Sequence, residues 1–197
     1  MSRARTRLAL MTVALASLLA IAVVGPALAG AEVPADTAVP QRDLDAERLA
    51  LSMLNCTRTG GWVRADGSCN GRRSGAHSPF VSALRFHDGV SGEVAFRWAG
   101  EMIRADVCAH VIPGQPDLGV RLAAAGFDFS TYGENVGCTQ GRLSPRATVI
   151  WVHRAMQGEQ SSGGGHWRNI KQPGFRGVGI GVATLDGRTT VVYDFYG

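Results

Sequence analysis

Cys108-Ala109-His110, Tyr132-Gly133-Glu134-Asn135-Val136 and Gly165-His166-Trp167-Arg168-Asn169-Ile170 are the three stretches on which the reading of this 197-residue chain turns. Each sets one proton- or cation-binding side chain in a short frame: an imidazole, a carboxylate and a second imidazole. A helical segment carrying Trp98-Ala99 leads into the first, Ile150-Trp151 precedes the third, and Gly177-Val178-Gly179-Ile180-Gly181-Val182 follows it. In that last run every second residue is apolar, the period of a strand with one buried face. Asp186-Gly187 then supplies a turn before Thr189 to Tyr196, which together predict a β-hairpin. The glycine face leaves room for a helix to lie close against the sheet. A strand continues where a dinucleotide-binding fingerprint would need a helix, so these glycines do not mark one.

Four helical periodicities surround these stretches. Asp43 to Leu54 has Leu44, Leu49, Leu51, Met53 and Leu54 among charged residues, with Asp43 or Asp45 as cap. Ser91 to Val107 places Val94, Ala95, Trp98, Ala99, Met102 and Ala105 at helical spacing and aims its end at His110. Asp117 to Ala125 predicts a shorter helix that stops at Gly126, with Glu134 expected in the loop beyond. Ser144-Pro145 opens a fourth helix through Met156, and Gly158 to Gly165 reads as a glycine and serine linker. Between the first two, Gly60 to Pro79 loses all periodicity. Arg58, Arg64, Arg72 and Arg73 around it are expected as a solvated set able to face an anionic wall polymer. His77 and His87 read as solvated or as partners in loop hydrogen bonds.

Residues 1–29 read as a signal peptide: Arg3, Arg5 and Arg7, the apolar run Leu8 to Val24, then the small-residue site Ala27-Leu28-Ala29. Cleavage there removes three of the 20 basic residues and none of the 16 acidic ones, leaving 17 against 16, or +1, in place of +4. A near-neutral chain with a single lysine, Lys171, lacks the dense basic face that nucleic acid requires, so no nucleic-acid partner is expected. Nothing after the signal is long and apolar enough to span a bilayer. Residues 30–42, rich in alanine, proline and small polar side chains, are expected as a disordered leader. Residues 43–197 then make one domain.

Export makes disulfides the natural state of Cys56, Cys69, Cys108 and Cys138. Of the three pairings four cysteines allow, Cys56-Cys69 and Cys108-Cys138 are expected. The first closes a local loop around Asp66-Gly67, and the second ties the His110 frame to the Glu134 frame. No Cys-x-x-Cys spacing supports a zinc cluster. Nor is there a Gly-x-Ser-x-Gly elbow or a His-Glu-x-x-His pair to mark a hydrolase. Asn55-Cys56-Thr57 matches a glycosylation sequon, but Cys56 serves a bridge better.

Taken in order, the three frames and the hairpin resemble the CAP superfamily, the cysteine-rich secretory, antigen 5 and pathogenesis-related-1 proteins, and within it bacterial SCP-like extracellular domains. The resemblance runs from about Asp43 to Gly197 and is absent across Gly60 to Pro79. It implies an α+β fold, a three-layer α-β-α sandwich with a small, mainly antiparallel sheet. It also implies that His110, Glu134 and His166 converge in one cavity, with His110 and His166 able to hold a divalent cation such as zinc, although none is required. Many members have a second glutamate one helical turn after the tryptophan matched by Trp151, and here that position is Arg154. Arg154 is therefore expected in the cavity, paired with Glu134 and placing positive charge where a cation would sit. Glu159 or His153 is expected to substitute for the missing carboxylate. The resemblance implies a secreted, extracellular module, released or held at the envelope, that binds a lipid, a cell-wall component or a protein without catalysis. Its alternative is a divalent-metal-dependent hydrolase using His110, Glu134 and His166.

Overall fold

A computed structural model describes residues 38–141 and 143–197. The expected signal peptide and the leader up to residue 37 lie outside the described residues. In chain order the elements are β1 (Gln41–Arg42), α1 (Leu44–Arg58), β2 (Trp62–Val63), β3 (Cys69–Asn70), β4 (Arg85–Phe86), α2 (Asp88–Val90) and, after a π turn over Ser91–Ala95, α3 (Phe96–Arg104). Then come α4 (Leu118–Ala124), β5 (Tyr132–Gln140), α5 (Pro145–Gly158), a tight 3-10 turn at Glu159–Ser162, α6 (Gly165–Lys171), β6 (Gly177–Leu185) and β7 (Arg188–Tyr196).

Three helix starts follow directly from short polar side chains that accept a backbone N–H of the first turn. Asp43 caps α1 at Ala46 N, 2.8 Å; Asp117 caps α4 at Val120 N, 3.0 Å; Ser144 caps α5 at Ala147 N, 3.2 Å, with Pro145 in the first turn. The hairpin turns at Asp186 and Gly187, both with positive φ (50° and 75°), the backbone of a type I′ turn whose twist matches its strands.

β6 and β7 pair along their whole length, and β5 adds antiparallel to β7. The far side of β6 carries β1, antiparallel, and β4, parallel. Val178, Ile180, Val182, Val191, Tyr193 and Phe195 face α1 and α5 and form the larger core with Met53, Leu54, Val149 and Val152. Ala183 and Val192 face the other way, toward Trp98, Ala99 and Met102 of α3. The result is the three-layer α-β-α arrangement. Close approach explains the glycines: a Cβ on Gly181 would stand 2.2 Å from Phe96 N, and one on Gly179 2.5 Å from Val90. Helix backbone occupies the space where side chains would be.

Three readings need correction. Residues 41 and 42 belong to a strand: Gln41 pairs with Thr184, and Arg42 ion-pairs with buried Glu47 at 2.8 Å, so the leader ends before them. Arg58 is fully buried at the end of α1. It donates to the carbonyls of Ser82, Ile170, Gln172 and Phe175 at 2.7 to 3.3 Å, and burial pushes its guanidinium down to about 10. A cation held by four carbonyls is a structural hub, whereas Arg64, Arg72 and Arg73 are exposed. Gly158 to Gly165, read as a linker, is a 3-10 turn leading into α6, so His166 rides on a helix.

Cys56 and Cys69 lie at disulfide distance, as do Cys108 and Cys138. The first pair holds the small ribbon of β2 and β3 against α1, and the second joins the segment after α3 to β5. Asn55 of the sequon is buried and pairs with the main chain of Leu84 in both directions, 3.1 and 2.8 Å, which leaves no amide for a glycan.

Candidate functional site

Glu134 lies in strand β5, not in a loop, directly opposite Asp194 of β7. Its two carboxylate oxygens are both used. His110 Nδ1 bonds Oε1 at 2.8 Å, and Arg121 of α4 pairs with Oε2. That guanidinium is held from behind by the ring of Trp98, 3.9 Å away. A cation does compensate Glu134, but it is Arg121. Arg154, the residue expected there, is exposed on α5 and has no ion-pair or hydrogen-bond partner among the described residues. The sequence hid this because Arg121 comes from the third helix, outside the three frames.

His166 is oriented by Glu159: Nδ1 stands 2.6 Å from Oε1, while Oε2 accepts the backbone N–H of His166 at 3.0 Å and of Trp167 at 3.4 Å. Glu159 thus fills the carboxylate role at this histidine and caps α6 in the same act. His153 does not share that role. It is fully buried in α5, with Nε2 2.9 Å from Thr57 Oγ1, and burial lowers it to about 3.

His110 and His166 face each other with ring centroids 6.5 Å apart. Between them opens a cavity of about 430 Å³ lined by His110, Glu134, Asn135, Glu159, His166 and Asn169 with neighbouring glycines. Asn169 closes its floor by donating to Glu134 O at 3.0 Å and to Asn135 Oδ1 at 2.8 Å. Each Nδ1 is committed to a carboxylate, which fixes both rings and leaves each Nε2 free of partners among the described residues.

The Glu134 hydrogen bond raises the proton affinity of His110 against the lowering effect of burial. Burial pushes the Glu159 carboxyl up, but the His166 ring and the two backbone N–H groups outweigh it and hold Glu159 below its ordinary value. Behind Glu134 lies a residue that sequence reading missed. Asp194 is fully buried, and neither carboxyl oxygen meets a donor from another group. Burial, then the charge of Glu134, drive its carboxyl well above the usual range, against Arg121. With Arg121 and His110 already engaged by Glu134, a second negative charge beside it would have no counter-ion of its own, so the neutral form of Asp194 is favoured. Alternation along Thr189 to Tyr196 was the one signal that could have found it, since it puts Asp194 on the face opposite Tyr193 and Phe195.

This donor set does not suit a cation held by His110, Glu134 and His166. Both Glu134 oxygens are engaged, a guanidinium borders them, and no group of three or more His, Cys, Asp or Glu able to hold a metal occurs among the described residues. His110 and His166 are thus left as a donor pair without a third protein ligand among the described residues, and the metal-dependent hydrolase is not favoured. Ser162, at the rim, is no poised nucleophile, since its hydroxyl donates to Glu159 O at 3.1 Å.

No family model matches the chain, and no curated protein matches it in sequence. Solved structures do. The crystal structure of an extracellular protein containing an SCP domain from Bacillus anthracis str. Ames aligns at a TM-score of 0.55 and 18% identity over 77% of this chain. This chain spans 40% of the length of that one. The crystal structure of NaASP2 with Zn2+ aligns at 0.50 and 16% identity, covering 78% of this chain and 80% of that one. The fold is therefore that of the SCP, or CAP, domain. Among the described residues no helix is long and apolar enough to cross a membrane.

Proposed function

We propose that this chain is a secreted binding module, free or held at the cell envelope, that engages a lipid, an envelope component or a protein through the cavity between His110 and His166. The observation that carries this reading is the pairing of two imidazoles 6.5 Å apart beside a polar cavity, each locked at Nδ1 by its own carboxylate, with neither Nε2 partnered among the described residues. Such rings are preorganised to grip a polar group, and their orientation costs nothing further on binding. No activated nucleophile accompanies them among the described residues, so capture rather than turnover suits the geometry.

Titration calorimetry of the folded protein against extracted envelope lipids, glycans and peptides tests it. Saturable binding that falls by about tenfold or more in His110→Ala and His166→Ala, about 1.4 kcal/mol per lost contact, is the expected result. A folded sample that binds none of these would end the proposal.

A further inference from the structure

The cavity sits on an open sheet edge. Along β6 the outward-facing main chain belongs to Val178, Ile180 and Val182: His87 N donates to Val178 O at 3.0 Å, Ile180 N to Ser91 Oγ at 2.9 Å, and Asp43 N to Val182 O at 3.2 Å. Antiparallel pairs alternate, each residue bonding to one side only. Carrying that alternation across the β6 to β7 and β7 to β5 registers leaves the odd-numbered residues of β5 bonded to β7 and turns Glu134, Val136 and Cys138 outward. The bond from Asn169 to Glu134 O fits this phase. Beyond it, the N–H and C=O groups of Val136 and Cys138 have no hydrogen-bond partner among the described residues, and both residues are half-buried.

Three hollows follow one another along that edge. At its start, Val111, Leu118 and Tyr132 line an apolar one of about 310 Å³, which shares His110 and Glu134 with the central cavity. Past the centre, Val136, Trp151, Ala155 and Met156 line another of about 240 Å³, which shares Glu159 and His166 with it. Val111, Tyr132 and Trp151 are large apolar side chains left exposed at 61%, 47% and 55%. Tyr132 to Cys138 spans about 20 Å at strand rise. The two histidine-bearing segments approach β5 from opposite faces of the sheet: the His110 ring bonds Glu134, which lies with Val136 on the α3 face, whereas the backbone carbonyl of His166 accepts from Asn135, which lies on the face of Met156 in α5.

We infer that the occupant of this trough is an extended polypeptide segment that lies along β5, bonds the main chain of Val136 and Cys138, and places a hydrogen-bond-donating side chain between His110 and His166 with apolar residues on either side. This rests on the binding-module reading above and names its ligand class. Open main-chain groups select a strand over an acyl chain, because acyl chains offer them nothing to bond. Apolar hollows flanking a polar one select alternate side chains of matching character. The donor follows from the tautomer. Each ring gives its Nδ1–H to a carboxylate, so the neutral ring offers the incoming group the lone pair of Nε2, an acceptor.

An array of acetylated heptapeptide amides, with Ser at the centre and Val, Leu or Phe at alternate positions on either side, is the probe. Binding is read by calorimetry and by amide hydrogen exchange on the full chain. Members of the array should bind and slow exchange at Val136 and Cys138. Methylating the peptide backbone nitrogens, or replacing the central Ser by Ala, should each weaken binding by about tenfold, the value of one good hydrogen bond. Val136→Pro, which removes an outward N–H that no ladder bond uses, should do the same. If that variant does not fold, the methylated peptides on the unaltered protein carry the test. Binding indifferent to backbone methylation would overturn strand pairing. Binding of phosphatidylglycerol vesicles or glycan oligomers with no peptide bound would overturn the peptide and leave the module. No binding of anything by folded protein would remove both.

Discussion

The two edges of the central sheet are built on opposite plans. On the β6 side every outward group named above is met from within the fold, by β1, β4, the Ser91 hydroxyl and the Glu47 carboxylate. On the β5 side a single side chain, Asn169, meets the strand at Glu134, and two histidines stand over the next stretch. Edge strands invite pairing with other chains, and proteins ordinarily blunt them. Here one edge is sealed with buried polar groups and the other is left in a trough with the chemistry of a site. The difference teaches where stability and function have been separated.

The sealed edge should carry the largest energetic cost. Glu47, 1% exposed, bonds Arg42 twice at 2.8 Å and receives Val182 N at 3.3 Å. Glu47→Ala leaves a guanidinium and a buried N–H without partners and should cost about 3–5 kcal/mol in urea unfolding. A Val136→Ala change on the open edge, where the side chain is only half-buried, should cost about 1 kcal/mol, roughly half the value of a fully buried valine. Equal losses at the two positions would erase the contrast. Next comes the bridge that ties the segment after α3 to β5. Replacing Cys108 and Cys138 together by Ser, across a separation of 30 residues, should lose about 3–4 kcal/mol and free the His110 segment. Urea melts with parallel peptide titrations check both. Ser91→Ala then orphans Ile180 N and should cost about 1–3 kcal/mol by the same melts.

Two histidines give the comparison a pH signature. His153, neutral and buried beneath α5, falls to about 3 from an unfolded value near 6.5. The unfolded chain therefore binds more protons between those values, and its contribution is full above about 6.5 and drains away as pH drops toward 3. His110, raised by Glu134, works the other way: its contribution is present below about 6.5 and is lost as pH climbs through its folded value. Thermal melts from pH 4 to 8 should show a shallower acid slope in His153→Gln and a shallower neutral slope in His110→Gln. The smallest effect belongs to Asp194→Asn. Exchanging a protonated acid for an amide should move stability by less than about 1 kcal/mol, near the floor of buried hydrogen-bond changes. A loss above about 3 kcal/mol at pH 7 would mean that Asp194 is ionised.

How much of this was legible from the residues varies with how local the cause is. Caps at Asp43, Asp117 and Ser144, and the Asp186-Gly187 turn, act within four residues and can be read directly. The glycines of β6 announced a close helix because their alternation is itself the pattern. Strand β5 was missed: Gly133 and Gly137 interrupt its apolar period, and Gly137 exists to admit Val152, 2.4 Å from where its Cβ would stand. The cavity's histidines and Glu134 were visible in their frames. Arg121 and Asp194 were not, because an ion pair across α4 and β5, and a buried acid set opposite Glu134 on the next strand, depend on register that no local signal encodes. Arg58 misled for the same reason, since the carbonyls that bury it come from residues 82 to 175.

One carboxylate joins the trough to the rest of the molecule. Because Glu159 grips the imidazole of His166 with one oxygen and the first N–H groups of α6 with the other, whatever steadies that ring also steadies the helix's opening turn. Occupancy at the surface should therefore be audible several residues away, as slower amide exchange at Trp167 and beyond, and the short helix becomes a built-in gauge of whether the trough is filled.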